Sequence, residues 1–334
     1  MTPLLEVRGL TVTLPHRRGE PRALDRLSFS IAPGEVLGVV GESGAGKSLT
    51  GAAIIGLLPS PARIAGGSVH LTGERIDTLS PERLRRLRGR RIGMIFQDPM
   101  TTLNPLLRVG RQLTETMRTH LDLSRAEARS RALAWLERVG IPDAARRIDA
   151  WPHEFSGGQR QRVVIALALC AEPELVIADE PTTALDVSIQ AQIIVLLKSL
   201  ARENGTAILL ITHDMGVIAE IADRVAVMYA GRIVEIGPVA QVIREPAHPY
   251  TRGLMDSIPD IARRTGRLRQ IDGAMPRPDT IPPGCAFHPR CAHAFARCGT
   301  EQPALLDIGS VSAACWLHAP ETIRDETTCE RGRV

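Results

Sequence analysis

Eight residues, Gly41-Glu42-Ser43-Gly44-Ala45-Gly46-Lys47-Ser48, constrain the fold of this chain more than any other stretch. The apolar run before them, Val36-Leu37-Gly38-Val39-Val40, reads as a buried strand. The small, apolar segment after them, Leu49 to Leu58, reads as a helix. Glycines at such a junction let the backbone turn tightly and aim its N–H groups inward, as a concave surface for anions. The helix N-terminus adds partial positive charge at the same point. Strand, glycine loop and helix are the context that a G-x-x-x-x-G-K-S phosphate-binding loop requires. Lys47 is placed to reach β- and γ-phosphates, and the Ser48 hydroxyl to ligate Mg2+. A glycine turn followed by a chance Lys-Ser would lack the flanking strand and helix. The stretch implies nucleoside triphosphate binding and leaves its use open.

With 334 residues, the chain can build one large domain and a smaller one. The 41 basic and 37 acidic residues are interspersed, so the net charge of +4 marks no nucleic-acid tail. The densest basic cluster, Arg83, Arg85, Arg86, Arg88, Arg90 and Arg91, reads as a solvated helix face. Aromatics at 3% are too few for a base-stacking platform. No apolar stretch approaches a membrane span, and Met1-Thr2-Pro3-Leu4-Leu5-Glu6 is no signal peptide, so a cytoplasmic protein is expected. There its six cysteines would not pair as disulfides.

Along the chain, Leu4 to Leu14 alternates as a half-exposed strand, and Leu27 to Ile31 gives another, ended by Pro33-Gly34. Both are expected in a mixed sheet beside the glycine-loop strand. Ser80-Pro81 starts a helix that stops at Gly89, and Arg91 to Phe96 is a strand ending on Gln97-Asp98-Pro99. From about 100 to 170 the pattern is helical: Ser124-Arg125-Ala126-Glu127 fits a capping box, and Gly140 closes that helix. A helical subdomain inserted between strands follows. Leu175 to Ala178 and Ala207 to Ile211 are continuous apolar strands, separated by an amphipathic helix from Ser188 to Glu203. Such strands alternating with helices predict an α/β fold whose sheet is covered on both faces. Functional groups then belong at the carboxyl ends of the strands, where Gln97, Asp179, Glu180 and His213 stand.

Asp179 at a strand end suits a carboxylate near Mg2+, and Glu180 beside it suits a general base on an attacking water. Ser156-Gly157-Gly158-Gln159 opens a second helix with small residues at its mouth, a second anion-binding N-terminus in one chain.

These segments together resemble the ATP-binding cassette of ABC transporters, over roughly residues 4 to 240. The resemblance implies a P-loop NTPase fold of the ABC cassette type, with a mixed sheet core and a helical subdomain. Gly41, Glu42, Ser43, Gly44, Ala45, Gly46, Lys47, Ser48 and the adjoining Leu49 are similar to the Walker A loop and its helix start. Gln97 resembles the Q-loop glutamine, which in that family meets Mg2+ and sits where membrane subunits dock. Phe155 to Gln159 resembles the signature sequence, Asp179 and Glu180 the Walker B pair, Ala184-Leu185-Asp186 the D-loop, and His213 the switch histidine. In this family the signature of one subunit closes over the ATP of another, so a head-to-tail dimer is implied. One departure is Leu14, followed by Pro15 and His16, where the family has an adenine-stacking aromatic.

Longer strings are similar to the peptide and nickel permease branch, and within it to the D-type ATPases of oligopeptide and dipeptide importers. They include Met94 to Met100, Thr102-Leu103-Asn104-Pro105, Trp151 to Phe155, Ala178 to Val187, and His248-Pro249-Tyr250-Thr251. The branch implies ATP hydrolysis coupled to peptide import at the cytoplasmic face of the plasma membrane. Its partners are a second, related ATPase chain, two transmembrane permease subunits and, indirectly, an extracytoplasmic solute-binding protein. Nickel, glutathione or another small solute is the alternative cargo. A non-transport ATPase acting on nucleic acid would carry further modules, and none is present.

A boundary is expected near residue 240, followed by a small C-terminal extension, 241–334, rich in proline and holding five of the six cysteines. Cys285, Cys291, Cys298 and Cys315 follow C-x5-C-x6-C-x16-C, with His288, His293 and His318 close by. That spacing is neither the usual zinc pattern nor the common ferredoxin one, and leaves cluster, mixed Cys/His zinc and free thiols open. The D-type resemblance implies a 4Fe–4S cluster on the four cysteines. Cys170 is expected in the core, and Cys329 to be incidental.

Overall fold

The structure, a computed structural model, describes residues 2–17, 19–182, 186–257 and 270–319. Its strands, in chain order, are β1 (Leu5–Thr13), β2 (Arg22–Ile31), β3 (Val36–Val40), β4 (Arg63–Leu71), β5 (Glu74–Arg75), β6 (Ile92–Ile95), β7 (Leu175–Asp179), β8 (Ala207–Ile211), β9 (Arg224–Tyr229), β10 (Arg232–Pro238), β11 (Leu306–Ile308) and β12 (Val311–Ala313).

These strands make two sheets. The larger has the order β11-β12-β10-β9-β3-β8-β7-β6, and β3 pairs in parallel with β8 and β9. The smaller has the order β2-β1-β4-β5 and is antiparallel. The expectation that the first two strands lie in the sheet of β3 is therefore corrected. Their alternating burial marks strands with one face on a core and the other toward solvent, whereas β3, β7 and β8 are buried at every position.

Two apolar cores sandwich the larger sheet. Val36, Val40, Val176, Ala178, Ile208 and Leu210 point into one core, shared with the helical insert and the C-terminal segment. Their neighbours Leu37, Val39, Leu175, Ile177, Leu209 and Ile211 point into the other, roofed by the small antiparallel sheet. The period-2 geometry of a strand explains why these runs must be apolar throughout.

The helical insert lies between β6 and β7 as expected. It includes Val109–His120, Arg125–Arg138 and Gly157–Leu169. The capping box at Ser124 forms: Ser124 Oγ accepts from the Glu127 N–H at 3.3 Å, and Glu127 Oε2 accepts from the Ser124 N–H at 2.8 Å. Ser80 likewise caps Pro81–Leu87. In the arginine cluster Arg83 pairs with Glu74, Arg91 pairs with Glu174, and Arg88 donates to the carbonyls of Ile55 and Gly56. Cys170 is buried, and burial pushes its thiol up to about 12.

The C-terminal segment is joined to the cassette. β12 pairs with β10, so it widens the main sheet. Tyr229 of β9 meets Tyr250 with ring centroids 4.7 Å apart and Phe287 at 5.2 Å, both edge-on. His248 caps the helix Pro249–Asp256, its Nδ1 accepting from the Tyr250 N–H at 3.0 Å.

That cap yields a pH dependence. Burial pushes the His248 imidazole down to about 3 from 6.5, and His318 acts in the same direction. The folded-state value is depressed, so this stabilisation is fully present above pH 6.5 and is lost as the pH falls toward 3. At pH 5 the loss is about 2 kcal/mol. Urea midpoints at pH 7.5 and 5 check this: the wild type should lose more stability than His248→Asn, which keeps a capping oxygen but does not titrate. Equal losses would contradict it.

Candidate functional site

Gly41 and Gly46 have φ of 153° and 99°, and neither has room for a side chain. A Cβ on Gly41 would stand 2.3 Å from the Met228 carbonyl oxygen, and one on Gly46 2.6 Å from Leu24 Cδ2. The loop closes on Lys47, whose Nζ donates to the carbonyls of Gly41 at 2.8 Å and Glu42 at 3.1 Å. Lys47 is 6% exposed. Burial lowers its pKa, while Glu180, Asp179 and Glu42 pull the other way. A buried ammonium held only by carbonyls is a cation poised for an anion.

Ser48, at the start of the helix Lys47–Ile54, donates its Oγ–H to Asp179 Oδ1 at 2.9 Å. Asp179 ends β7 and is 7% exposed. Burial pushes its carboxyl up, the Ser48 hydrogen bond opposes, and Glu180 adds to the rise. An accessible serine hydroxyl bonded to a buried carboxylate offers hard oxygens that suit Mg2+, so the residues present fit that ion.

Glu180 stands in the left-handed region at φ 46°, with its N–H donating to the Ile211 carbonyl at 2.8 Å. Such a backbone costs about 1–3 kcal/mol in a residue other than glycine. It accompanies a carboxylate held at two corners. Gln97 Nε2 donates to Glu180 Oε2 at 2.9 Å, and His213 Nδ1 lies 3.3 Å from Glu180 Oε1. The carboxylate is 15% exposed and the His213 ring 63%. Gln97, Asp179, Glu180 and His213 thus come together at the ends of β6, β7 and β8, beside the loop that follows β3.

The Ser156–Gln159 turn forms a reciprocal cap at the start of the helix Gly157–Leu169. Ser156 Oγ accepts from the Gln159 N–H at 3.3 Å, and Gln159 Oε1 accepts from the Ser156 N–H at 3.1 Å. Ser156 and Gly157 are exposed, and Gly158 is packed so that a Cβ would meet Ile189 Cγ2 at 2.9 Å. Asp186 is exposed and caps the helix Val187–Asn204 with its backbone. Ala184 and Leu185 lie outside the described residues. Leu14 is half-buried just past β1.

The cysteine expectation is overturned. Among the described residues no group of three or more His, Cys, Asp or Glu is disposed to hold a metal ion. Cys285, Cys291, Cys298 and Cys315 line one small pocket together with His248, His288 and His293. Burial pushes the Cys285 and Cys315 thiols up to about 11, which favours the neutral thiol over the ligating thiolate. Cys329 lies outside the described residues.

One set of contacts has no local sequence signal. Arg290 Nη1 donates to Glu42 Oε1 at 3.2 Å and Oε2 at 3.1 Å, across 248 residues. Tyr250 Oη accepts from the Glu42 N–H at 2.9 Å. Only the unusual acid inside the loop hints at a distant cation.

Residues 24–183 match the family model described as ABC transporter, and residues 234–298 match the oligopeptide/dipeptide transporter C-terminal region. The oligopeptide transport ATP-binding protein OppD of Salmonella typhimurium is 49% identical over 90% of this chain and 89% of its own length. For AppD of Bacillus subtilis the figures are 47%, 96% and 98%. This chain belongs to the family of oligopeptide and dipeptide transport ATP-binding proteins. The dipeptide transport ATP-binding protein DppD of Haemophilus influenzae is a further relative, 45% identical over 95% of this chain and 96% of its own length. A solved ATP-binding cassette, MJ0796, in a dimeric post-hydrolysis state with ADP and Pi, superposes with a TM-score of 0.64. It is 29% identical and covers 70% of this transport ATP-binding chain and 98% of its own. A subunit of an ABC transporter complex from Clostridium perfringens gives 0.63, at 31% identity, 73% and 92%. The resemblance read from the motifs, and the cassette fold it implied, are borne out.

Proposed function

We propose that this chain is the ATP-hydrolysing subunit that powers peptide import through a membrane-embedded ABC transporter. The observation that carries the reading is the grouping of Gln97 and His213 around the Glu180 carboxylate, at the strand ends next to a buried Lys47. Lys47 and the loop N–H groups bind the β- and γ-phosphates of ATP. Ser48, Gln97 and Asp179 would hold Mg2+, Asp179 through its hydrogen bond with Ser48. Bound Mg2+ supplies positive charge to the phosphate oxygens. Glu180 takes the proton of the attacking water, while Gln97 and His213 fix its carboxylate. Ser156 to Gln159 and Asp186 face the ATP of a second ATPase subunit, in our reading a related but different chain. The exposure of Ser156, Gly157 and Asp186 supports that arrangement.

Among the described residues no helix is long and apolar enough to cross a membrane. In our reading two transmembrane permease subunits build the path. A largely apolar groove of about 270 Å3 runs beside Gln97, lined among others by Leu57, Met94, Phe96, Val164 and Leu167. Leu57 and Phe96 are 43% and 42% exposed. Exposed apolar side chains grouped in a groove suit a docking permease segment. The chain then sits peripherally on the cytoplasmic face. Leu57→Asp should lower recovery of the permease subunits with this chain at least about fivefold while leaving its own ATP affinity unchanged. Full recovery would contradict the docking site.

We take residues 1–240 as the cassette and 241–334 as a cysteine-bearing extension, a division supported by the change in composition. Cargo is tested with the reconstituted transporter and its solute-binding protein. Oligopeptides should stimulate ATP hydrolysis, whereas stimulation by nickel or glutathione alone would replace the peptide reading.

A further inference from the structure

Glu42 is the only acidic residue of the phosphate loop. Its carboxylate acts on the Lys47 ammonium, so it lies within electrostatic reach of the loop's cation. An uncompensated carboxylate there would repel a triphosphate.

In the structure it is compensated, from the far end of the chain. The Arg290 side chain is only 7% exposed, and it reaches both Glu42 oxygens. Arg290 is itself anchored. It donates to the carbonyl of Asp272 at 2.8 Å and that of Ile271 at 3.3 Å, and its guanidinium lies over the rings of Tyr229 and Phe287 at 5.8 and 5.9 Å. Tyr250, fully buried, fixes the other side of the same residue by accepting the Glu42 N–H. The loop's own closure, on its glycines and Lys47, uses neither.

We propose that Arg290 and Tyr250 are positioning residues for nucleotide binding, holding Glu42 neutralised and its backbone fixed so that the loop accepts a polyanion. The C-terminal segment then sets nucleotide affinity and leaves turnover to Glu180. This rests on the ATP reading above.

The test uses the full chain with Mg2+, titrated with a fluorescent ATP analogue, and steady-state hydrolysis for KM and kcat. Arg290→Met should weaken nucleotide binding and raise KM about tenfold, with kcat within about twofold of wild type. Arg290→Lys keeps the charge but not the planar fork or its ring contacts, and should recover part of the lost affinity. Adding Glu42→Gln to Arg290→Met should restore affinity, because the charge that needed cancelling is gone. An Arg290 that only supports the fold would not be rescued by removing a carboxylate. Wild-type affinity in Arg290→Met, or no recovery in the double variant, overturns the proposal. If Arg290→Met does not fold, Tyr250→Phe decides. It deletes one oxygen and should weaken binding about two- to threefold at unchanged kcat; unchanged affinity overturns the proposal. A wild-type chain that binds no ATP would instead strike the ATP reading itself.

Discussion

Glu180→Gln is expected to bind ATP normally and to hydrolyse it roughly 10²–10⁴-fold more slowly, the span a positioned general base contributes. The carboxylate is held by Gln97 at 2.9 Å and lies 3.3 Å from His213 Nδ1, so its position is set before substrate arrives. Glutamine has the same length, and it keeps a carbonyl oxygen for Gln97 to reach. What it loses is the ability to accept a proton. Phosphate contacts come from Lys47 and the loop, which the substitution does not touch. Nucleotide binding and phosphate release, measured on one preparation, separate the two effects. Normal turnover in this variant would remove Glu180 from the chemistry.

Lys47→Met should act on the other side of that division. The side chain stays buried and similar in length, but the loop loses its only cation. A hydrogen bond to a charged group contributes about 1.5–3 kcal/mol, so ATP affinity should fall roughly 10–10²-fold. Asp179 and Glu180 also lose the ammonium that faces them. The burial that already raises Asp179 then acts with less opposition, and the carboxyl should protonate at a higher pH. Equilibrium binding of ATP at pH 7.5 checks the first effect. Affinity equal to wild type would show that the loop backbone alone holds the phosphates.

Much of this site is legible in the amino-acid sequence. The Gly41–Ser48 stretch imposes its turn through its glycines, and Ser156-Gly157-Gly158-Gln159 reads as a helix start, whereas the reciprocal Ser156/Gln159 cap comes from the structure. The strands β3, β7 and β8 are continuous apolar runs because both faces are buried, so the strand ends point to Gln97, Glu180 and His213. The placement of β1 and β2 is not legible in the same way. Alternation reports that one face is buried, and does not say against which sheet. The cysteine spacing misleads for a related reason. Sequence distance does not fix how the four sulfurs are disposed in space, and among the described residues they form no group disposed to hold a metal ion. The hold of Arg290 and Tyr250 on Glu42 is invisible in the sequence because ion pairs across 248 and hydrogen bonds across 208 residues leave no local pattern.

The measurement that bears most directly on the central claim is uptake of a labelled oligopeptide into proteoliposomes, with ATP supplied on the side of this chain. The vesicles carry the transporter assembled with either the wild-type chain or Glu180→Gln, and the solute-binding protein is present on the opposite side. Uptake should require hydrolysable ATP and the wild-type chain, and should fall sharply in the variant even though ATP binds. Uptake at the wild-type rate without hydrolysis, or with Glu180→Gln, would contradict an import cycle driven by ATP cleavage at this site.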